Sequence, residues 1–388
     1  MLTNPFSPLF GGKPQVFFGR EDILDRFDLA MIDSGSDDRA LFITGARGDG
    51  KTALVEKLSQ NARDAGRRVI DLGPENTVDL FLRSLAGHTE STRTISPQAS
   101  ISVLGSGAGI SAGSFSTTTR IDRADLQQMF LEACTKEAHG LLITIDEVQK
   151  VSEGDMSAIC NAFQMASRKG HDVMLVMAGL PYAHAQVIHY QRCTFMRRAA
   201  HEELGLFTHE ETAESFRQAF ATVQGFVLTD AVLDAMIGAS MGHPYLMQLL
   251  GYYLISRVNQ KGEGQSCRID EGDVQVVVSR ARLAFEQRAL RPMVDELTDA
   301  QLEYLRAAAR LIRAAGGASN VVRSGEVAQF LGKDTKSLSS TRESLVRLGI
   351  LLVPAYGQIM FGIPYLRSYL VKAPQTGDVL RRAQEWNV

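Results

Sequence analysis

The chain has 388 residues, 45% of them hydrophobic and 22% charged, and a formal net charge of −3. That length exceeds one small domain, and the composition is that of a folded globular protein; the slight acidity excludes a global field drawing the whole molecule to nucleic acid. The four cysteines, Cys134, Cys160, Cys193 and Cys267, have neither metal-ligand nor redox spacing, so a reduced, cytoplasmic setting is expected.

The first residues carry no basic and apolar signal region, and the apolar stretch 246–255 is too short for a bilayer, which takes roughly 20 residues. No membrane partner is therefore expected. Residues 1–20, with Pro5, Pro8, Gly11, Gly12 and Pro14, read as an extended arm, and a helix follows over 21–32. Ala40-Leu-Phe-Ile-Thr44 is an uninterrupted apolar run before a Gly-rich turn, the pattern of a strand buried on both faces. Residues 52–65 place Leu54, Val55, Leu58 and Ala62 on one helical face, and Gly66 stops that helix. Further strands are predicted at 69–72, 141–145 and 173–177, with helices at 75–86, 122–138 and 157–168. Strands alternating with helices predict a doubly wound α/β core around a parallel sheet. The Ser/Gly-rich stretch 91–119 reads either as a surface loop or as a projecting hairpin.

Past Leu206 the strands stop. Thr208-His-Glu-Glu211 is a capping box opening a helical region, a predicted lid over 207–296, interrupted by Gly242-His-Pro-Tyr245. A second box, Thr298-Asp-Ala-Gln301, opens the last region. Helix, short helix at 324–331, turn, helix at 336–348, then a two-stranded ribbon is the winged-helix order. The expected domains are thus 1–206, an ATPase-type core, 207–296, a helical lid, and 297–388, a winged helix.

Gly45-Ala46-Arg47-Gly48-Asp49-Gly50-Lys51-Thr52, followed by Ala53, fits the phosphate-binding pattern G-x-x-x-x-G-K-[ST]. Its glycines let backbone N–H groups converge on phosphate oxygens, and the helix that starts there aims its positive end at the same anion. Lys51 is expected on the β- and γ-phosphates of ATP, and Thr52 on Mg²⁺. The apolar strand 141–145 ends in Asp146 and Glu147. Asp146 is expected to hold Mg²⁺ through water, and Glu147 to polarise the attacking water.

Three segments together resemble AAA+ ATPases of the origin-recognition and initiator type, their bacterial relatives, and the neighbouring STAND class of signalling ATPases: Asn4-Pro-Phe-Ser-Pro-Leu-Phe10, Val16-Phe-Phe-Gly-Arg-Glu21 and the phosphate loop. The resemblance continues through Gly242-His-Pro-Tyr-Leu246, Arg323-Ser-Gly-Glu-Val327, Ser337-Leu-Ser-Ser-Thr-Arg342, Leu348-Gly-Ile-Leu351 and Phe361-Gly-Ile-Pro364. It implies that Phe18, Gly19 and Arg20 lie against adenine and that Pro244 touches the nucleotide. His243 is open to two readings, facing the phosphates or packing. Thr194-Phe-Met-Arg197-Arg198 resembles the segment that lends an arginine finger to a neighbouring subunit, Arg198 before Arg197, which implies a homo-oligomer; a solvated basic turn is the other reading.

Two departures bear on activity. Met177-Ala-Gly-Leu-Pro181 offers no polar group to the γ-phosphate, and the lid has a G-x-P turn where an arginine is usual. Both point to slow, assembly-dependent hydrolysis in a switch rather than fast turnover. Lys333, Lys336, Arg342 and Arg347 surround the presumed recognition helix, as in a duplex DNA reader, whereas the turn 354–358 carries no Lys or Arg, as in a protein-docking module. A nucleotide-controlled switch and an initiator-like DNA-binding ATPase both remain open at this point. A small-molecule kinase on the same loop lacks an evident acceptor pocket.

Overall fold

The computed structural model describes residues 1–9, 17, 19–86, 123–261, 269–316 and 320–372. The expectations for Phe18 and for stretch 91–119 lie outside these residues, as does Cys267.

Five parallel strands form the central sheet: β1 (Ala40–Gly45), β2 (Arg68–Leu72), β3 (Leu141–Ile145), β4 (Val173–Gly179) and β5 (Ala200–Leu204), in the order β2-β3-β4-β1-β5. Six helices connect and cover them: α1 (Glu21–Ile32), α2 (Lys51–Asp64), α3 (Thr77–Ala86), α4 (Arg123–Lys136), α5 (Glu153–Arg168) and α6 (Ala183–His189). The period-2 geometry of a strand explains why the apolar runs are unbroken. Leu41, Ile43, Leu142, Met174 and Val176 point to one face, beneath Phe27 of α1 and Leu54 and Leu58 of α2. Phe42, Ile143, Ile145, Leu175 and Met177 point to the other, beneath Phe81, Phe130 and Ile159. Each such fully buried side chain contributes about 1.5–3 kcal/mol. β5 was not predicted. Its sequence, Ala-His-Glu-Glu-Leu, has one fully buried residue because it is an edge strand.

Helices α7 (His209–Ala221), α8 (Asp230–Ser240), α9 (Pro244–Lys261), α10 (Glu271–Phe285) and α11 (Arg291–Asp295) follow, with a π-helical turn at Glu286–Leu290. Thr208 and Glu211 form the expected capping box on α7. The first residues pack here: the Phe6 ring lies 4.9 Å from that of Phe220, and the Leu2 N–H donates to Asn259 of α9 at 2.6 Å. Gly251 admits Phe6, since a Cβ there would lie 2.4 Å from its ring.

The last region comprises α12 (Asp299–Ala314), β6 (Val321–Arg323), α13 (Ser324–Phe330), α14 (Ser339–Arg347), β7 (Leu351–Leu352), β8 (Gln358–Phe361) and α15 (Leu366–Lys372). Thr298 and Gln301 cap α12 as expected. The ribbon has a third strand: β6 pairs antiparallel with β8, which pairs with β7. One continuous apolar core joins α7–α11 to α12–α15, through residues such as Phe216, Leu250, Phe285, Leu305 and Leu366. Among the described residues no helix is long and apolar enough to cross a membrane.

Candidate functional site: a phosphate loop enclosed by lid and C-terminal turn

β1 ends at Gly45 and α2 begins at Lys51, so residues 46–50 make the turn between them. Gly48 and Gly50 both have φ of 89°, where a side chain is strained. The Ala46 N–H donates to Asp49 Oδ2 at 2.6 Å, and the Asp49 N–H returns to the Ala46 carbonyl at 3.4 Å. Lys51 is only 6% exposed and donates through Nζ to the carbonyls of Gly45, at 2.9 Å, and Ala46, at 2.7 Å. Burial lowers the Lys51 pKa, while the Asp49 carboxylate opposes that change. Burial raises the Asp49 pKa to about 6 against the pull of Lys51, the Ala46 N–H and Arg20. Ala53 lies in the first turn of α2, half-buried beside Thr52.

Thr52 Oγ1 donates to Asp146 Oδ2 at 2.6 Å, so oxygens from α2 and from the end of β3 converge. Two hard oxygen donors beside a phosphate cradle fit Mg²⁺, which is held by few protein ligands with phosphate and water completing the shell. Asp146 Oδ1 also accepts from the Glu147 N–H at 2.8 Å. Glu147 has a left-handed backbone, φ 53°. Its Oε2 accepts from Gln149 Nε2 at 2.8 Å and faces Lys150 Nζ at 3.3 Å. Gln149 Oε1 in turn accepts from the Leu180 N–H at 3.1 Å. Gln149 therefore links the acid to the end of β4, the place where the sequence shows no polar side chain. The sequence reading missed it; its signal was an amide two residues past the acidic pair.

Gly19 and Arg20, expected at adenine, contact the linker between β5 and α7. The Arg20 guanidinium lies over the Phe207 ring, 4.6 Å from its centroid, and donates to the Gly205 carbonyl. A Cβ at Gly19 would lie 2.8 Å from the same ring. The Phe207 N–H donates to the Gly242 carbonyl at 2.8 Å, and a Cβ at Gly242 would lie 2.1 Å from the Phe207 carbonyl oxygen. Linker and G-x-P turn are thus in backbone contact, which places the next two residues on the phosphate loop.

His243, 2% exposed, lies against Gly48, where a Cβ would sit 2.5 Å from its Cε1. Its ring is edge-on to Phe285, with centroids 5.1 Å apart. Burial lowers its pKa to about 4, opposed by the Arg47 carbonyl. At neutral pH the imidazole is uncharged, so packing is the role this geometry supports. Pro244 begins α9, and a Cβ at Gly50 would be 3.9 Å from Pro244 Cβ, an ordinary contact.

The C-terminal region reaches the same loop. Gly349, between α14 and β7, has φ of 71°; a Cβ there would lie 2.8 Å from Ala46 Cβ and 3.3 Å from Pro181. Arg47 pairs with Glu296 at 2.7 Å. Gly349 and Arg47 both lie in segments quoted above, but neither contact was expected from them. Arg197 and Arg198 are exposed at the end of the 3-10 turn Thr194–Arg198. Around α14, Arg347 pairs with Glu343 at 2.9 Å and Lys333 with Glu303, whereas Lys336 is exposed and Arg342 half-buried. The tip of the ribbon, Val353-Pro-Ala-Tyr356, is exposed and uncharged.

Residues 16–176 match the family described as AAA ATPase domain, and residues 287–370 match the one described as Domain of unknown function (DUF8462). No curated protein matches the sequence. Among solved structures, the chain is similar to the ORC2 protein of Aeropyrum pernix in its ADPNP–ADP complexes, with a TM-score of 0.61, 16% identity and 94% of each chain covered. It is also similar to Cdc6p of Pyrobaculum aerophilum, with a TM-score of 0.51, 16% identity, and 96% of this chain and 98% of that one covered. These similarities carry the fold: an α/β P-loop core around a five-stranded parallel sheet.

Proposed function

We propose that the chain is an ATP-binding AAA+ switch that hydrolyses ATP slowly and whose nucleotide state sets the position of its lid and C-terminal region, and through them its assembly or its partner. The observation that carries this reading is the convergence of two later regions, through three contacts, on one phosphate loop. His243 lies on Gly48, Pro244 on Gly50, and Gly349 on Ala46. A ligand seated on that loop has to be accommodated by all three, so differential contact with ATP and ADP is available to bias two arrangements.

In this reading the loop N–H groups and Lys51 bind the phosphates, Thr52 and Asp146 hold Mg²⁺, and Glu147 orients water. When bound, the ion would screen phosphate charge. Arg198, exposed beside β5, is the candidate finger for a neighbouring copy. The core is read as 1–206, the lid as 207–296 and a winged helix as 297–388. Small-angle scattering with ATP and with ADP tests the switch: two distinct profiles are expected. Identical profiles, with both nucleotides shown bound, would reject it.

A second reading, an initiator-like ATPase contacting duplex DNA through its winged helix, is favoured by the end-to-end fold similarity to initiator proteins. The ion pairs of Arg347 and Lys333 and the uncharged ribbon tip weigh against it.

A further inference from the structure

Asp49 is a carboxylate inside the phosphate loop. It is 6% exposed, its carboxylate accepts from the Ala46 N–H at 2.6 Å, and it lies within the eight-residue loop 45–52. We propose that nucleotide binding is coupled to proton uptake by Asp49, so that this loop holds a nucleotide polyphosphate more tightly as pH falls. The proposal rests on the reading of residues 45–52 as a nucleotide site, and it adds a regulatory input, pH, that no motif announces.

The charges around Asp49 define the coupling. On its own loop it faces Lys51, and from the segment before α1 it faces Arg20; both favour the ionised carboxylate. The edge strand β5 presents the Leu204 backbone to Gly45, not a charge. The lid presents His243 at Gly48, held uncharged by burial. Arg20 is itself engaged with Phe207 and Gly205, with Glu211 of α7 the leading charge acting on it. Among the described residues Lys51 is therefore the main cation available, and its side chain donates to the Gly45 and Ala46 carbonyls.

Two effects of a bound polyphosphate have the same sign. Its negative charge beside a buried carboxylate disfavours the ionised form. Its oxygens also draw the Lys51 ammonium, which weakens the interaction that keeps Asp49 ionised. Even without nucleotide, burial places the Asp49 pKa at about 6, so a further rise carries it across neutral pH. The bond to Ala46 does not require the charge, because an amide or hydroxyl oxygen also accepts. Asn at this position is close to isosteric, can keep that bond, and removes the proton site together with its charge.

The test is calorimetric titration of the full chain with ADP in excess Mg²⁺ at pH 7.0, 7.5 and 8.0, in two buffers of different ionisation enthalpy. Above pH 7, Mg²⁺-bound ADP contributes little titration of its own, and the variant controls for what remains. Wild type is expected to take up as much as one proton per ADP and to lose affinity by up to about tenfold per pH unit. Asp49→Asn is expected to flatten the slope and to bind more tightly than wild type at pH 8. Asp49→Ser, smaller but still an acceptor for Ala46, should behave alike and decides the matter if the Asn variant does not fold. Equal proton uptake and equal slopes in wild type and variants would overturn the coupling while leaving the nucleotide site standing. No ADP binding by wild type at any pH would overturn both.

Discussion

The phosphate loop and the face of α14 both carry cations, and the molecule treats them in opposite ways. Lys51 is 6% exposed and, among the described residues, its side chain donates to two backbone carbonyls inside the loop. Arg347 and Lys333 are exposed and already paired with Glu343 and Glu303 on the same surface. The Asp49 carboxylate opposes the cost of burying Lys51 without bonding to it, and a ligand that supplies negative charge would oppose it further. An exposed ion pair contributes about 0–1 kcal/mol and advertises no ligand. The difference separates a buried cation held by backbone carbonyls from an exposed surface on which two cations, Arg347 and Lys333, are already ion-paired.

The largest effect expected from breaking this contrast is at the loop. Lys51→Ala should lower ATP turnover by roughly 10²–10³-fold, the cost of removing one preorganised donor from a developing charge. Glu147→Gln should lower turnover similarly while leaving nucleotide affinity near wild type, because Thr52 and Asp146 are untouched. Single-turnover hydrolysis beside equilibrium binding separates the two. If the Gln variant turns over at the wild-type rate, Glu147 does not orient the water.

Next comes the contact that encloses the loop. Gly349→Val puts a β-branched side chain at φ 71° and against Ala46, a strain of about 1–3 kcal/mol. The turn should lift from Ala46, and release of a fluorescent ADP analogue should speed up by roughly 5–30-fold, the factor that one to two kcal/mol commands. An unchanged release rate in a folded variant would mean that the C-terminal turn does not retain nucleotide.

The lid contact carries its own pH signature. His243 has a folded pKa of about 4 against 6.5 in an open chain, so its neutral form is what the fold holds. Its contribution is fully present above pH 6.5 and is lost as pH falls through about 4. By pH 5 the loss should be about 2 kcal/mol. Asp49 has the opposite sign, since its raised pKa means that the fold is relieved, not weakened, on acidification. Denaturant melts of wild type and His243→Gln at pH 7 and 5 isolate the histidine. The variant should lose less stability between the two, and an equal loss would remove His243 from the account.

The smallest effect is expected on the cationic surface. Replacing Lys336, Arg342 and Arg347 by alanine would flatten the salt dependence of duplex binding by roughly 0.9 per lost phosphate contact. With Arg347 already paired and Arg342 half-buried, a shallow slope in wild type and little change in the variant are expected. A steep wild-type slope that vanishes in the triple variant would instead establish the DNA-binding reading.

What the sequence by itself determined was local and periodic. The runs Ala40–Thr44, Leu141–Ile145 and Val173–Met177 were legible as doubly buried strands because both of their faces are apolar, a property carried within five residues. The two Thr capping boxes and the glycines of the phosphate loop were legible because capping and left-handed backbone are short-range chemistry. β5 and β6 were not, because an edge strand with one buried residue and a strand of three residues have too little periodicity to read. Only the tertiary structure decided what closes the loop. His243 meets Gly48 across about 195 residues of chain, and Gly349 meets Ala46 across about 300; the segments 242–246 and 348–351 stood out in the sequence, but their packing on these two loop residues did not. The same holds for Asp49. Its place in the loop was visible, but the burial that alters its chemistry is a property of everything folded around it.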